Sequence, residues 1–303
     1  MKQIFHSNGK LLITGEYVVL DGATALTIPT KYGQSLEVEP ISGKMLQWKS
    51  LDLNGNVWFE KIFPLDIFQK KNTTEKFQDK ISTTLIKILC EAKLENPDFL
   101  NETEGFKITT KLDFPKNWGL GTSSTLINNI AQWAKVDAFN LLKTSFGGSG
   151  YDIAAAQNDS PIFYINSETP KVRTVFLNWD FKDNLYFIYL NKKQDSKQGI
   201  THYRSKEISK KSIERISDIT TKMLMCYTLK DFENLIDAHE TIVSEIIEIP
   251  TLKHSLFSDF KGSVKSLGAW GGDFILATGT DKDMDYFRRK GYETIISFNK
   301  MVK

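Results

Sequence analysis

The feature that most constrains the fold of this chain is a glycine-rich turn set directly before a helix-forming segment, PKNWGLGTSSTLINNIAQWA at 115–134. Gly119 and Gly121 allow positive φ angles and a close approach of the backbone to a ligand. The first N–H groups of the helix predicted over 123–136 have no partner within the helix, so they can bind a phosphate. Capping by the hydroxyl residues of the turn is the simpler alternative. The chain contains neither GxxxxGK[ST] nor GxGxxG, which excludes the common P-loop and dinucleotide fingerprints.

Three further segments combine glycines with charged residues. SFGGSGYDIAAA (145–156) again sets glycines before a helix and places Asp152 near its first turn. SLGAWGGDFILAT (266–278) packs glycines between two predicted strands, and SNGKLLITGEYVVLDG (7–22) carries Lys10 within strand-like sequence. Taken singly, each has an ordinary structural explanation: a carboxylate stabilised by the helix dipole, a bulged hairpin, and a lysine on a solvated face.

The order of the predicted elements indicates an α+β fold. The first third of the chain reads as short strands rich in β-branched and aromatic residues, separated by Gly, Asp and Asn turns. Apolar residues at helical spacing then predict helices over 75–94, 199–227 and 230–248. A chain of 303 residues has room for about two domains. We place the boundary after residue 182, which gives domains 1–182 and 183–303.

Composition excludes several classes of protein. Lys and Arg (39) nearly balance Asp and Glu (37), and a net charge of +2 provides no broad electrostatic surface for nucleic acid or an anionic membrane. Two cysteines, Cys90 and Cys226, cannot form a disulfide framework, and no His/Cys cluster has zinc spacing. The N-terminus lacks the apolar region of a signal peptide, and no apolar run approaches about 20 residues. We therefore expect a soluble, cytoplasmic protein.

Taken together and in this order, the four segments resemble the GHMP kinases, the family of galactose, homoserine, mevalonate and phosphomevalonate kinases. The family's GK…GE…G pattern is matched by Gly9, Lys10, Gly15, Glu16 and Gly22, and its phosphate loop by Pro115, Gly119, Leu120, Gly121, Thr122 and Ser123. Its S-G-x-D element is matched by Ser149, Gly150 and Asp152, and its G-A-G-G-G element by Gly268, Ala269, Gly271 and Gly272. The matches extend over positions 7 to 278.

Several details are most similar to phosphomevalonate kinases: KLLITGEYVVLDG, PTKYGQSLEV, GSGYDIAAA and the GGD at 271–273. The resemblance implies an N-terminal half like ribosomal protein S5 domain 2 and a ferredoxin-like C-terminal half, with ATP and acceptor meeting in the cleft between them. It implies transfer of the γ-phosphoryl group of ATP to phosphomevalonate in isoprenoid precursor biosynthesis. Mevalonate or another acceptor of the family is the first alternative, and a decarboxylating relative acting on diphosphomevalonate is a further one.

The resemblance also implies roles for individual residues. Those expected to bind ATP are Gly119, Leu120, Gly121, Thr122, Ser123, Ser124, Gly271 and Gly272. The Ser123 hydroxyl would help to hold Mg²⁺. Asp152 would orient or deprotonate the acceptor, and Lys10 would lie beside it, keep it ionised and stabilise the transferring phosphoryl group.

A phosphorylated acceptor needs cations, because a carboxylate near it repels a phosphate that is mostly ionised at pH 7. The candidates include three lysines of NKKQDSKQ (191–198), which we call the lysine loop; a solvated surface run is the alternative for this loop. The residues expected to bind the acceptor are His6, Glu16, Ser149, Lys192, Lys193 and Lys197.

The chain departs from the family's pattern in several places, among them Ser124 and Thr125, which replace two alanines. Residues 139–144 contain no carboxylate where many relatives carry a metal-binding Glu, so Mg²⁺ would depend on Ser123, the phosphates and water. Trp118 and Trp270 replace small residues. They reshape the nucleotide pocket, stack on the base or serve in ordinary packing. A non-catalytic protein of the same fold, which binds a ligand without transferring phosphate, is therefore the alternative from a different class. We expect a monomer or a homodimer.

Overall fold

The computed structural model describes residues 1–68, 79–101, 104–194 and 196–303. They form two compact units, each built from several chain segments. The first unit comprises Met1–Gly9, Tyr32–Lys116 and Gly121–Gln157, and the second comprises Lys10–Lys31, Asn117–Leu120 and Asn158–Lys303. The domain boundary after residue 182 stays a prediction.

The strands are β1 (Gln3–Thr14), β2 (Ala25–Ile41), β3 (Met45–Leu51), β4 (Val57–Pro64), β5 (Gly105–Leu112), β6 (Ile162–Ile165), β7 (Lys171–Thr174), β8 (Leu185–Tyr189), β9 (Val264–Ser266), β10 (Phe274–Thr278) and β11 (Ile295–Ser297). The helices are α1 (Lys80–Glu95), α2 (Thr122–Ala134), α3 (Ala138–Ser145), α4 (Tyr151–Ala156), α5 (Ser196–Arg204), α6 (Lys210–Met223), α7 (Leu229–Ile247), α8 (Leu252–Leu256), α9 (Asp285–Arg289) and α10 (Phe298–Met301). Short 3₁₀ turns occupy Val18–Asp21, Leu65–Phe68 and Lys182–Asn184.

In the first unit, four strands hydrogen-bond in the order β4-β3-β5-β2. The β3–β5 pair is parallel, and the β3–β4 and β2–β5 pairs are antiparallel. Leu36 and Val38 of β2 point to the same face of the sheet, where they are buried in the core that α1, α2 and α3 also line. This core packs the helices against one side of the sheet and so fixes the start of α2.

Helix α1 follows the apolar spacing expected from the sequence, with Leu85, Ile88 and Leu89 buried and Asp79 capping its first turn through Ser82 N–H. Phe77 belongs to the predicted helix 75–94 but lies outside the described residues.

In the second unit, β2, β6 and β7 pair in antiparallel fashion, and a separate antiparallel sheet has the order β11-β8-β10-β9. Strand β10 is buried along its whole length, and it places the glycine-rich segment 268–272 between itself and β9. Helix α7 packs on β9, and α6 packs on α7.

The strands and helices confirm the α+β class, and one element differs from its prediction. The helix predicted over 199–227 is two helices, α5 and α6, separated by residues 205–209. Ser209 explains the break, because its side chain accepts the N–H of Ser212 and begins a new helix there. Among the described residues, no helix has the length and apolar character needed to cross a bilayer.

Candidate active site

In the first unit, helix α2 begins on Gly121, which has a φ of 96°. A residue with a Cβ is strained at this angle, so glycine is required here. Glycine also has no side chain to cap the helix, in contrast to Asp79 at the start of α1. The first N–H groups of α2 therefore lack an N-cap side chain, as a phosphate site at a helix start requires.

The three hydroxyl residues that follow Gly121 differ in exposure. Ser123 is exposed and Thr122 is half-buried. Ser124 is buried, and its hydroxyl donates to the carbonyl of Gly121 at 2.9 Å. The Ser124 hydroxyl thus shapes the turn, and its predicted contact with ATP stays a prediction. Ser123 presents the only exposed hydroxyl of the three to solvent.

A buried polar network holds α2 in position within the first unit. Thr125 donates to Gln34 Oε1 at 2.7 Å, and Asn129 donates to Gln34 O at 2.9 Å. Ser7 donates to Asn129 Oδ1 at 2.7 Å, and Asn128 Nδ2 donates to Ser7 at 2.8 Å. These bonds join α2 to β1 and β2, so the helix start is fixed by specific pairs and not by apolar packing alone.

Helix α4 carries Asp152 in its first turn, directly after Gly150, which has a φ of 88°. Asp152 is half-buried. Gln157 at the end of α4 donates to Asn128 Oδ1 at 3.0 Å, which connects α4 to the network around α2. Helices α2 and α4, which carry Ser123 and Asp152 in their first turns, are therefore connected by a hydrogen bond within this unit.

His6 is an exposed residue of β1 in the first unit. Its ring lies against Gly33, where an added Cβ would be 2.7 Å from the imidazole Cε1. Burial raises the pKa of the neighbouring Asp113, and the Gly33 N–H and the His6 charge oppose that rise.

In the second unit, Lys10 on β1 is bonded to residues 119 and 120 at two points. Its backbone N–H donates to Leu120 O at 2.9 Å, and its ammonium group donates to Gly119 O at 3.0 Å. Asn117 anchors the same segment, because its Nδ2 donates to the Tyr189 hydroxyl at 2.7 Å. Lys10 is therefore directed at the glycine-rich turn and not at a solvated strand face.

Asp273 occupies the space over Gly119. A Cβ added to Gly119 would be 2.3 Å from Asp273 Oδ2, so only glycine fits under this carboxylate. Burial raises the pKa of Asp273; the charge of Lys10, the Gln194 N–H and the charge of Lys193 oppose the rise in that order. Asp273 is absent from the predicted site residues, although its position directly after two glycines of the fourth segment could have indicated it.

The lysine loop is bonded to the same region of the second unit. The Asp273 N–H donates to Lys192 O at 2.8 Å, and a Cβ on Gly272 would be 2.5 Å from the Cβ of Gln194. Lys192, Lys193 and Lys197 are exposed, and residue 195 lies outside the described part of the chain. Gly272 is thus required by close packing against this loop, which is a reason for glycine besides binding ATP.

Glu16 belongs to a buried charge cluster of the second unit. Its Oε1 accepts from Lys265 Nζ at 2.8 Å, and its Oε2 lies 3.3 Å from His239 Nε2. Lys265 also donates to Glu240 Oε1 at 3.3 Å. His239 Nε2 accepts the N–H of Gly15 at 3.0 Å. We call Glu16, His239, Glu240 and Lys265 the buried cluster. The sequence does not identify the other three members as partners of Glu16, because each stands alone in an ordinary amphipathic or strand pattern.

The buried cluster has perturbed titration. Burial raises the pKa of Glu16 to about 7, although Lys265 pulls it down. Burial likewise raises the pKa of Glu240. Burial and the charge of Lys265 hold the pKa of His239 well below its usual value, so the imidazole is neutral. Glu16 is 1% exposed, and its predicted contact with the acceptor stays a prediction.

The two unusual tryptophans take part in packing. Trp270 is buried; its indole N–H donates to Pro250 O at 3.2 Å, and its backbone N–H donates to the Tyr17 hydroxyl at 2.9 Å. Trp118 lies edge-on to Phe274, with ring centroids 5.4 Å apart. Packing therefore accounts for Trp270. Trp118 packs on Phe274 but is only half-buried, so packing does not account for the whole of its side chain.

The predicted site residues divide between the units. The first unit holds His6, Gly121, Thr122, Ser123, Ser124, Ser149 and Asp152, and the second holds Lys10, Glu16, Gly119, Leu120, Lys192, Lys193, Lys197, Gly271 and Gly272. Within the described ranges, no group of three or more His, Cys, Asp or Glu side chains could hold a metal ion. Ser123 is an exposed residue in the first turn of α2, after the Gly121 N-cap, and its hydroxyl fits a Mg²⁺ ion that is held mainly by nucleotide phosphates and water.

No protein-family model matches the sequence, and no curated protein sequence is significantly similar to it. Solved structures are similar along nearly the whole chain. Mevalonate kinase of Methanococcus jannaschii is 17% identical with a TM-score of 0.72, over 97% of this chain and 96% of that one. Phosphomevalonate kinase of Streptococcus pneumoniae, in complex with phosphomevalonate and AMPPNP, is 13% identical with a TM-score of 0.70, over 97% and 99%.

Galactokinase of Lactococcus lactis, complexed with galactose, is 15% identical with a TM-score of 0.68, over 98% of this chain and 92% of that one. At such identities the similarity establishes the fold and leaves the substrate open. The chain therefore has the α+β fold of mevalonate kinase, phosphomevalonate kinase and galactokinase, which is the GHMP kinase fold that the four glycine-rich segments predict.

Proposed function

We propose that this protein is an ATP-dependent phosphotransferase that transfers the γ-phosphoryl group of ATP to phosphomevalonate. One observation carries the proposal: Lys10 is bonded through both its backbone and its ammonium group to residues 119 and 120, in a chain with the GHMP kinase fold. A lysine that merely covers a solvated strand face has no need of these two bonds. The assignment as a kinase of the mevalonate pathway, and so of isoprenoid precursor biosynthesis, follows from the same proposal.

The nucleotide would bind through the backbone N–H groups at the start of α2. Their support is the glycine N-cap at residue 121, since it leaves those groups without a capping side chain. The phosphomevalonate kinase of Streptococcus pneumoniae was crystallised with AMPPNP, which makes ATP the donor to test first. The Ser123 hydroxyl would help to hold Mg²⁺, which supplies positive charge that neutralises the phosphates.

Asp152 would orient the acceptor. In the transfer, an acceptor oxygen forms a new bond to the γ-phosphorus while the bond to the β–γ bridging oxygen breaks, and ADP leaves with that electron pair. A hydroxyl acceptor must lose its proton to a base such as Asp152. A phosphate acceptor is mostly ionised at pH 7 and needs positioning instead.

The lysine loop supports a phosphorylated acceptor. Within the second unit, burial raises the pKa of Asp273, and the charges of Lys10 and Lys193 oppose that rise. Lys192 is connected to the same residue through its carbonyl group. The exposed lysines of this loop would compensate the negative charge of a phosphate, whereas mevalonate has no phosphate to bind. His6, Ser149, Glu16 and Lys197 remain proposed acceptor contacts.

An acceptor panel tests the proposal. The protein is incubated with ATP and Mg²⁺, and ADP release is measured with phosphomevalonate, mevalonate, galactose and homoserine. We expect the highest kcat/KM with phosphomevalonate, and loss of about 10²–10⁴ in rate in the Asp152→Asn and Lys10→Met variants. A preference for mevalonate would make mevalonate the acceptor in place of phosphomevalonate. Activity only on a sugar or homoserine would refute both of these acceptors. ATP binding without turnover on any acceptor would favour the non-catalytic alternative.

The remaining proposals concern the cell and the assembly. We propose a cytoplasmic enzyme that acts as a monomer or homodimer on small molecules and has neither nucleic acid nor membrane as a partner. The near-neutral net charge of +2 supports only the last part, because it provides no broad electrostatic surface for nucleic acid or an anionic membrane. Size-exclusion chromatography with light scattering distinguishes the two assembly states.

A further inference from the structure

We propose that Tyr17 is a positioning residue that joins the glycine-rich segment 268–272 to helix α5 within the second unit, and so orders α5 for binding of the acceptor phosphate. The proposal rests on the proposed function, because the first turn of α5 carries Lys197, one of the proposed acceptor contacts. Tyr17 acts through α5 and through the backbone of Trp270, and is not itself assigned a contact with the acceptor.

Tyr17 has a strained backbone. Its φ is 63° and its ψ is −52°, and the Val18 N–H donates to Glu16 O at 2.7 Å across it. These values describe a γ-turn with positive φ, which is a rare and strained conformation. Glycine would adopt it with less strain. A tyrosine at this position therefore indicates that its side chain makes contacts that outweigh the strain.

The residues before Tyr17 hold the turn in place. The Gly15 N–H donates to His239 Nε2 at 3.0 Å, and Glu16 Oε1 accepts from Lys265 Nζ at 2.8 Å. Both partners belong to the buried cluster. The buried cluster therefore fixes the backbone from which the Tyr17 side chain projects, and it restricts the directions that this side chain can take.

The Tyr17 hydroxyl bonds the middle of the glycine-rich segment 268–272. It accepts the backbone N–H of Trp270 at 2.9 Å. Gly268, with a φ of 72°, and Gly271, with a φ of 89°, lie on either side of this tryptophan. Glycines give a backbone wide conformational freedom, so the bond to Tyr17 restricts a segment that its own sequence leaves free.

Helix α5 packs on the same side chain. The rings of Tyr17 and Tyr203 stack, with centroids 5.6 Å apart and an interplanar angle of 18°. A Cβ added to Gly199 would be 2.7 Å from Tyr17 Oη, so a side chain there would displace the tyrosine. The Tyr203 hydroxyl donates to Asp21, and Arg204 forms a salt bridge with Asp21 at 2.6 Å. Tyr17 and the short turn after it thus hold α5.

One side chain therefore touches two of the proposed binding elements. Lys197 lies in the first turn of α5, and the segment 268–272 contains glycines proposed to bind ATP. Elements that are ordered before a ligand arrives lower the entropy cost of binding it. Without Tyr17, Trp270 keeps the bond from its indole N–H to Pro250 O, whereas α5 loses its ring contacts. Acceptor binding should therefore suffer more than ATP binding.

The test is hydrogen–deuterium exchange of two variants, measured by mass spectrometry. Tyr17→Phe removes only the hydroxyl that accepts the Trp270 N–H, and Tyr17→Leu also removes the ring that stacks on α5. We expect peptides covering 268–272 to exchange about fivefold faster in both variants. Peptides covering 196–204 should exchange about threefold faster in Tyr17→Leu.

The matched control is Tyr227→Phe, which should leave both rates unchanged because Tyr227 is 78% exposed in the same unit. Gly199→Ala disturbs the contact from the α5 side. Alanine favours a helix over glycine, so faster exchange at 268–272 in this variant would come from the displaced tyrosine. If the Tyr17 variants do not fold by circular dichroism, Gly199→Ala replaces them. Unchanged exchange at 268–272 in the folded variants would overturn the proposal.

A kinetic readout separates positioning from a general loss of stability. We expect the KM for phosphomevalonate to rise about fivefold in Tyr17→Leu, with the KM for ATP changed by less than about twofold. Faster exchange with an unchanged KM for phosphomevalonate would overturn the role in acceptor binding. Faster exchange in a protein that shows no turnover on any acceptor would support positioning by Tyr17 and refute the proposed function. Unchanged exchange together with normal turnover would do the reverse.

Discussion

Replacing Lys265 by Met leaves Glu16 and Glu240 in the buried cluster without their shared cation. The Lys265 ammonium lies 2.8 Å from Glu16 Oε1 and 3.3 Å from Glu240 Oε1, and it also donates to Ser266 O at 3.0 Å. The side chains of Lys265 and Glu16 are 0% exposed and that of Glu240 is 3% exposed, so water cannot replace the lost bonds. Methionine fills a similar volume, and the charge is the main loss.

The cost follows from this burial. Removing one partner of a buried ion pair destabilises a protein by about 3–5 kcal/mol, because the remaining charge stays buried without compensation. For a chain of this length, about 4 kcal/mol corresponds to a fall in Tm of roughly 6 °C. Protonation of the two carboxylates relieves part of the cost, so we expect a larger loss at pH 8 than at pH 5.5.

The assay is urea unfolding followed by circular dichroism at both pH values. Lys206→Met is the matched control: its salt bridge partner Glu248 is 69% exposed, so solvent screens the pair and its loss should change the stability little. The double variant Glu16→Gln/Lys265→Met should recover part of the lost stability. A loss below about 1 kcal/mol at pH 8, equal to that of the control, would refute the inference that the cluster is buried and charge-coupled.

Three further predictions concern the site and its support. Asp152→Asn should lower kcat about 10²–10⁴-fold with an unchanged KM for ATP, measured by ADP release; a fall below threefold would contradict its role. Gly119→Ala should cost about 2 kcal/mol in urea unfolding, because its φ is 67° and its Cβ would meet Asp273 Oδ2 at 2.3 Å; a neutral result would mean that the turn relaxes freely. The Glu16 carboxyl has a pKa of about 7 in the folded protein and 4.5 as its ordinary value. Its contribution to stability is therefore fully present below about pH 4.5 and is lost as the pH rises through 7. The free energy of unfolding should fall over this range by at most about 3 kcal/mol. Glu16→Gln should remove this part of the pH dependence, and an unchanged pH profile would contradict the raised pKa.

The positions of the glycine-rich turns could be predicted from the sequence because their conformations are locally determined. Gly121 and Gly150 both begin helices at positive φ, as a glycine before a helix-forming segment indicates. Ser209 could have predicted the break between α5 and α6, because serine is a common N-cap residue. The apolar spacing alone continues across the break and predicts one helix. Local capping outweighed periodicity at that point.

The buried cluster could not be predicted, because its members come from the turn after β1, from α7 and from β9. Lys265 stands within a short strand where a lysine ordinarily reaches solvent, but α7 and α8 both pack on that strand and Lys265 is buried. Asp273 belongs to the GGD sequence at 271–273, which is visible in the sequence. Its close approach to Gly119 could not be predicted, because the two residues are more than 150 positions apart and meet only in the folded second unit. Pairings of this kind require the tertiary structure.

The most direct test of the central claim is mass-spectrometric detection of the product after incubation with phosphomevalonate, Mg²⁺ and ATP labelled with ¹⁸O on the γ-phosphoryl group. Transfer to phosphomevalonate predicts a diphosphorylated product that carries the label, formed in step with ADP by the wild type and suppressed at least a hundredfold in Asp152→Asn. Label recovered only as inorganic phosphate, or a labelled product formed equally well by Asp152→Asn, would contradict the account.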